Sequence, residues 1–150
     1  MSGVHAVVGT LVLVLSLAAG LWGGWAWHKG VVSTTFWRLL RASQAVLTLE
    51  VLLGGVLLLD GREPARLHVL YGLLPLGVSF IAEQLRLVSA DQVLQRRGLE
   101  HAREMEGLPP EEQQAIVREI VARETGVMAA SAVVVFLCAL RASGVAGFLG

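Results

Sequence analysis

The chain lacks much of what a water-soluble domain is built from. It has one cysteine, Cys138, in 150 residues, which excludes a disulfide framework and a cluster of thiolate metal ligands. Charged residues make up only 16% of the sequence, whereas 55% of the residues are hydrophobic and the mean hydropathy is +0.66. A chain of this length cannot enclose so many apolar side chains in one core, so most of its surface is expected to face lipid.

Four apolar stretches, at about residues 4–27, 37–59, 67–86 and 126–148, predict four transmembrane helices. About 20 helical residues cross the roughly 30 Å of hydrocarbon in a bilayer. Inside lipid the backbone must satisfy its own hydrogen bonds, so the expected fold is an all-α integral membrane protein with a four-transmembrane-helix bundle. No basic residue precedes the first apolar run, which is also too long for a signal peptide, so we expect this segment to be retained.

The charges in the loops predict the orientation, because cytoplasmic loops are enriched in lysine and arginine. The first loop carries Lys29, Arg38 and Arg41 without an acid, and the third connection is rich in arginine, whereas the second loop is balanced. We therefore expect the first and third connections in the cytoplasm and both termini outside a bacterial inner membrane. An interfacial aromatic belt is expected from the tryptophans of the first loop region, Trp22, Trp25, Trp27 and Trp37.

Residues 87–125 are too polar to span a membrane and predict a cytoplasmic helical hairpin between helices 3 and 4 of the same domain. Ser89 with Gln92 matches a capping box, Gly107 indicates a helix stop, and Pro110 is typical of a first helical turn. Acidic and basic residues alternate here, which favours a solvated face over a binding patch. Docking of a cytoplasmic protein is the alternative, and no nucleic-acid partner is expected.

Two histidines point beyond packing to chemistry. His5 and His68 lie near the starts of helices 1 and 3, which run in the same direction and so bring two imidazoles to one depth. A haem iron takes two axial nitrogens on opposite faces of a flat ring, which suits histidines from different helices. The alternative is that each histidine is an interfacial residue hydrogen-bonded to a neighbour. His28 and His101 are expected to face solvent.

The sequence before His68 resembles the helix-loop-helix of haem A synthase. That family has a Gln-x-x-Leu-Gly-Gly helix, a Gly-x-x-Pro loop and a ligand histidine, and this chain has Glu-Val-Leu-Leu-Gly-Gly at 50–55 and Gly-Arg-Glu-Pro at 61–64. The opening at 4–12 is similar to the family's other ligand helix. The resemblance covers residues 4–77 and implies that His5 and His68 are the axial ligands of one haem b in a single four-helix unit.

The departures from the family pattern are also informative. The family places Glu three residues before its first ligand and Arg directly after it, and both are implicated in oxidising a haem methyl group; this chain has Ser2 and Ala6. Haem binding without haem A synthase activity is therefore implied, and no turnover reaction is expected. Glu50 replaces the family's Gln, and a carboxyl group at this depth should be neutral or paired. Gln44 is one candidate partner, and a proton site coupled to redox change is the alternative.

Further residues around the pair are candidates for contacting the cofactor. Haem propionates prefer the membrane surface, where Arg62, Arg66 and Arg141 are placed to pair with them, although each could instead snorkel or oppose an acid. Tyr71 follows His68 by three residues on the same helical face and could line the site. Close helix packing, rather than cofactor contact, is expected at the small residues Gly20, Gly24, Gly54, Gly55 and Gly72.

Together these features predict a membrane-embedded b-type haem protein for electron transfer, haem handling or assembly of a respiratory cytochrome oxidase. Membrane lipid and a quinol or respiratory-complex subunit are the expected partners. The alternative is a cofactor-free structural or accessory subunit of a membrane complex, in which the hairpin is the functional part.

Overall fold

The computed structural model describes residues 2–61 and 63–144, and these residues form four long α-helices and one short 3-10 helix. The all-α prediction is confirmed within this described part of the chain. All four long helices are long and apolar enough to cross a membrane. Their bounds are Ser2–Lys29 for α1, Thr34–Leu59 for α2, Arg66–Arg96 for α3 and Pro110–Ala142 for α4, and the 3-10 helix is Ala102–Gly107. The predicted continuation of the fourth helix beyond residue 144 lies outside the described residues.

The helix ends follow from local sequence. Gly30 and Gly61 have φ values of +63° and +80° in the turns after α1 and α2, a conformation that glycine adopts without steric cost. Ser33 caps α2, where its hydroxyl accepts from the backbone N–H of Phe36 and from the indole N–H of Trp22. Through these two hydrogen bonds Ser33 links α1 to the start of α2.

The helices pack as antiparallel neighbours, with α1 against α2 and α4, and α3 against α4. The α2–α3 interface is much lighter than the other three. We call the end that holds the start of α1 and α3 the histidine end, and the opposite end the hairpin end. The main core lies toward the hairpin end and consists of Ala19, Phe36, Leu40, Ala82, Met128, Ala129 and Ala132.

Packing becomes looser toward the histidine end. A middle layer holds Val12, Leu47 and Val135. Pro75 of α3 is also buried near this layer. Between these residues and the histidine end, Val8 is the one buried side chain among the described residues. The helices are therefore packed less tightly at the end where the two histidines lie.

Much of the apolar surface points outward. Leu52 and Phe80, for example, are 62% and 67% exposed. Exposed leucine, valine and phenylalanine along four such helices would be unfavourable in water but suit a lipid environment. Cys138 is half-buried rather than fully enclosed.

The last part of α3 and the first part of α4 continue beyond the main core as a helical pair with a small core of its own. Its buried residues are Val93, Leu94, Leu99 and Ile116. The helix start predicted at Ser89 is wrong, because α3 runs unbroken through it and the Ser89 hydroxyl donates to the carbonyl of Leu85 one turn earlier. The predicted start at Pro110 is confirmed.

A network of charged side chains joins α2, α3 and α4 near the hairpin end. The Glu83 carboxylate accepts hydrogen bonds from Arg41 and Gln44 of α2 and from Arg86 of its own helix. Arg86 also lies 3.7 Å from Glu124 of α4. Because apolar packing between α2 and α3 is light, this network supplies much of their connection.

Glu83→Ala is expected to lower the free energy of unfolding by about 2 kcal/mol, since it removes charge-assisted hydrogen bonds and leaves the half-buried Arg86 and the exposed Arg41 without this acceptor. Thermal unfolding in detergent, followed by circular dichroism, measures the change. Glu106→Ala is the matched control, because Glu106 is exposed. Equal melting curves for the two variants would show that the network contributes nothing.

Candidate functional site

The structure brings the two predicted ligands together at the histidine end. His5 of α1 and His68 of α3 lie with their ring centroids 5.9 Å apart and their planes at 68°. These helices are diagonal in the bundle, so the two imidazoles meet across its interior. Two imidazoles on opposite sides of one metal ion, each bonded at about 2 Å, have centroids roughly 6 Å apart. The observed separation matches that arrangement.

One nitrogen of each ring faces a protein oxygen. His68 Nδ1 is 3.0 Å from the carbonyl oxygen of Ala142, in the last turn of α4. The last carbonyl groups of an α-helix have no backbone N–H donor within the helix. The Ala142 carbonyl can therefore accept a hydrogen bond from His68. His5 Nδ1 is 3.1 Å from Glu50 Oε1 on α2. The atoms are within hydrogen-bond range but imperfectly aligned, and among the described residues His5 Nδ1 and Glu50 Oε2 have no well-formed hydrogen bond.

These contacts select the nitrogen that can bind a metal. A carbonyl oxygen only accepts, so the Nδ1 of His68 must carry the proton and its Nε2 keeps a lone pair in the neutral ring. A carboxylate beside Nδ1 of His5 favours the same tautomer. A protein oxygen behind one ring nitrogen is the usual way in which a metal-binding histidine is oriented. In both histidines Nε2 is therefore the nitrogen that could bind a metal.

One glycine makes room for the His5–Glu50 pair, and a second lies in ordinary contact distance of it. Gly9 lies one turn after His5 on the same face of α1, and a Cβ placed there would be 2.8 Å from Glu50 Oε1. A Cβ at Gly54 would be 3.5 Å from His5 Cε1. The expected Glu50–Gln44 contact is wrong, because Gln44 lies about a turn and a half away and bonds Arg41 and Glu83 instead.

Close packing was expected at five glycines, and the structure divides them. Gly20 confirms the expectation, since a Cβ there would be 2.8 Å from a methyl carbon of Val133. Gly54 adjoins His5, but the expectation is wrong for Gly24, Gly55 and Gly72, where a Cβ would meet no heavy atom within 4 Å. The latter residues border open space rather than a neighbouring helix.

Regular helical periodicity predicts that Gly55 of α2 and Gly72 of α3 face each other. A hydrogen bond between Gln44 of α2 and Glu83 of α3 joins the two helices. Gly55 comes 11 residues after Gln44, and Gly72 comes 11 residues before Glu83, so both glycines lie closer to the histidine end. Eleven helical residues make about three turns and span about 16 Å. Both glycines should therefore lie at the same depth, on the sides of α2 and α3 that face each other. We call this space the glycine gap. Val56 and Leu73 beside it are exposed, so the gap opens toward lipid.

The remaining candidates surround the site at the surface. Arg141 lies over the ring of Tyr71, with its guanidinium carbon 5.8 Å from the ring centroid. Arg66 is exposed, and in the described part of the chain neither Arg66 nor Arg141 forms an ion pair. Arg62 lies outside the described residues. His28 and His101 are exposed, as expected, and lie toward the hairpin end, His28 in the last turn of α1 and His101 between α3 and the 3-10 helix.

The donor set suits a haem better than a bare ion. In the residues that the structure describes, no group of three or more His, Cys, Asp or Glu side chains is arranged to hold a metal ion. A haem iron takes four nitrogens from its own macrocycle and needs only two from the protein, which His5 and His68 supply. The loose packing and the glycine gap lie beside them. The residues present thus fit a haem.

Sequence reasoning missed two parts of this site. A glycine one turn after His5 is a sequence signal for space at that position. The signal becomes specific only once Glu50 is known to lie opposite Gly9. The Ala142 carbonyl has no sequence signal, because any residue would supply it. Comparison of the chain with protein-family models, curated proteins and solved structures finds no match.

Proposed function

We propose that this chain is an integral protein of the bacterial inner membrane that holds one haem b between His5 and His68. The observation that carries the proposal is that imidazoles from two diagonal helices meet while each Nδ1 faces a protein oxygen. That arrangement leaves two Nε2 atoms, one from each side, as axial ligands.

Other residues have supporting roles in this proposal. Arg66 and Arg141 at the histidine end would pair with the propionates, together with Arg62. Tyr71 holds the Arg141 guanidinium over its ring and limits where that charge can go. The glycine gap would admit the edge of the macrocycle between α2 and α3. When bound, the haem supplies one-electron redox chemistry.

The position of the site limits the function. The histidine pair lies near one end of helices that are long enough to cross the bilayer, so one haem there exchanges electrons with a partner at that surface. We propose electron transfer, haem handling or assembly of a respiratory oxidase, with a quinol or a subunit of a respiratory complex as the exchange partner.

Filling the glycine gap tests whether the space receives the cofactor. Gly72→Leu adds a side chain where nothing lies within 4 Å, so the fold should persist while haem affinity falls at least tenfold. Haem is titrated into the detergent-purified protein and followed by its Soret absorbance. Gly24→Leu, at a glycine that also borders open space but lies toward the hairpin end, should bind haem like the unmodified chain. Equal affinities would remove the gap from the site.

The proposed orientation puts both termini and the histidine end outside and the hairpin in the cytoplasm. With Cys138 replaced by serine, a thiol at Glu63→Cys should react with a membrane-impermeant maleimide in intact cells. A thiol at His101→Cys should react only after the membrane is opened. The reverse pattern would invert the topology and place the haem near the cytoplasmic face.

One observation favours the second candidate, a cofactor-free accessory subunit. The helical pair formed by the last part of α3 and the first part of α4 has its own buried core at Val93, Leu94, Leu99 and Ile116. It is therefore a rigid element that could dock to another protein. In that case replacing residues 97–109 by a short linker would abolish association with the complex. The His5→Ala variant would then associate normally.

A further inference from the structure

We infer that Glu50 is a positioning residue for His5 and that its carboxylate shifts the bound haem toward the ferric state. The inference rests on the proposed haem site. It assigns a redox-setting role to a side chain that would bind neither the iron nor the macrocycle.

The placement of Glu50 is specific. Its Oε1 lies 3.1 Å from His5 Nδ1, and the side chains of His5 and Glu50 are only 21% and 18% exposed. Glu50 Oε1 sits over Gly9, where a methyl group would be 2.8 Å away, so a glycine is needed on α1 for the carboxylate to approach the ring. A polar side chain at this depth in an apolar bundle is costly unless it has a partner or a task.

The two proposed ligands lie beside chemically different oxygen atoms. His68 is backed by the neutral carbonyl of Ala142, whereas His5 is backed by a carboxylate. A carboxylate held beside Nδ1 makes the imidazole a stronger electron donor through Nε2 than a neutral carbonyl does. Stronger donation and a nearby negative charge both stabilise the higher charge of ferric iron. The structure therefore assigns the tuning of the potential to the His5 side of the site.

Glu50→Gln keeps the size and an acceptor oxygen but removes the ionisable carboxyl group. We expect the haem-loaded variant to retain a low-spin spectrum while the ferrous-to-ferric ratio at a fixed potential rises about tenfold, an upward shift of about 59 mV for a one-electron couple. Glu63→Gln is the matched control, because it removes one charge from the exposed loop at the same end without touching either histidine. Its midpoint potential should change far less.

Gly9→Ala tests the geometry without changing any charge. The added methyl group must displace Glu50 from His5, so the potential should shift in the same direction as in Glu50→Gln. Gly3→Ala is its control on the same helix, since a Cβ there meets nothing within 4 Å. Electron paramagnetic resonance of the ferric form, which is sensitive to the angle between the imidazole planes, should change in Gly9→Ala and stay constant in Gly3→Ala.

The outcomes separate the inference from the proposed function. If Glu50→Gln and Gly9→Ala bind haem with an unchanged potential and resonance signal, Glu50 has no positioning role and the haem site stands. If the unmodified chain binds no haem, the proposed function fails and the inference falls with it. If Glu50→Gln does not fold, a shifted potential in Gly9→Ala supports the inference and an unshifted one overturns it.

Discussion

Replacing either His5 or His68 by alanine is expected to abolish the low-spin b-type spectrum of the haem-loaded protein and to lower haem affinity more than about 100-fold. Changes to groups that merely orient a metal ligand cost about 10–100-fold, and loss of the ligand itself should exceed that. The two rings come from different helices and each would contribute one nitrogen to the iron, so neither could replace the other. Absorbance spectra and haem content per chain measure the result.

The chain provides its own controls for this experiment. His28→Ala and His101→Ala remove exposed imidazoles from the last turn of α1 and from the segment between α3 and the 3-10 helix, and both variants should keep the full spectrum. Circular dichroism must show that all four variants are equally helical. Low-spin haem in His5→Ala or His68→Ala would contradict the assignment of that ligand.

Gly23→Ala is expected to destabilise the fold by about 1–3 kcal/mol or more, with no involvement of the cofactor. A Cβ at Gly23 would overlap the ring of Phe36 and lie 2.9 Å from the Cβ of Ala129. Phe36 is fully buried and Ala129 nearly so, which leaves the ring little freedom to move. The same methyl group would disturb both the α1–α2 and the α1–α4 contacts.

Gly24→Ala is the matched control, one residue further along the same helix. A Cβ there meets nothing within 4 Å, and alanine in a helix is favoured over glycine by about 0.5–1 kcal/mol. Thermal unfolding in detergent should therefore show a lower melting temperature for Gly23→Ala and an equal or higher one for Gly24→Ala. Equal melting temperatures would mean that α1 does not pack through Gly23.

The helices themselves could be predicted from the sequence. Long apolar runs separated by polar, glycine-containing turns gave four helices, and Pro110 gave the start of α4. Ser89 was misleading, because a local capping pattern competes with the continuous helix that burial of Val93 and Leu94 stabilises. Local signals identify helix ends well where no tertiary contact opposes them.

The candidate site was only partly predictable. Equal depth brought His5 and His68 into one hypothesis, but which oxygens face the rings depends on how the helices are rotated about their axes. The same limit explains the glycines. Gly20 and Gly24 look alike in sequence, yet Val133 lies against one and open space against the other. Hydropathy gives position along a helix far better than rotation around it.

The reduced-minus-oxidised visible spectrum of the full chain, expressed with haem supplied and purified in detergent, tests the haem proposal most directly. We expect a sharp low-spin b-type difference spectrum with one haem per chain, because His5 and His68 come from different helices and meet with their ring centroids 5.9 Å apart. A flat spectrum from a fully helical sample would contradict the haem site and would leave the accessory role of the hairpin as the function to pursue.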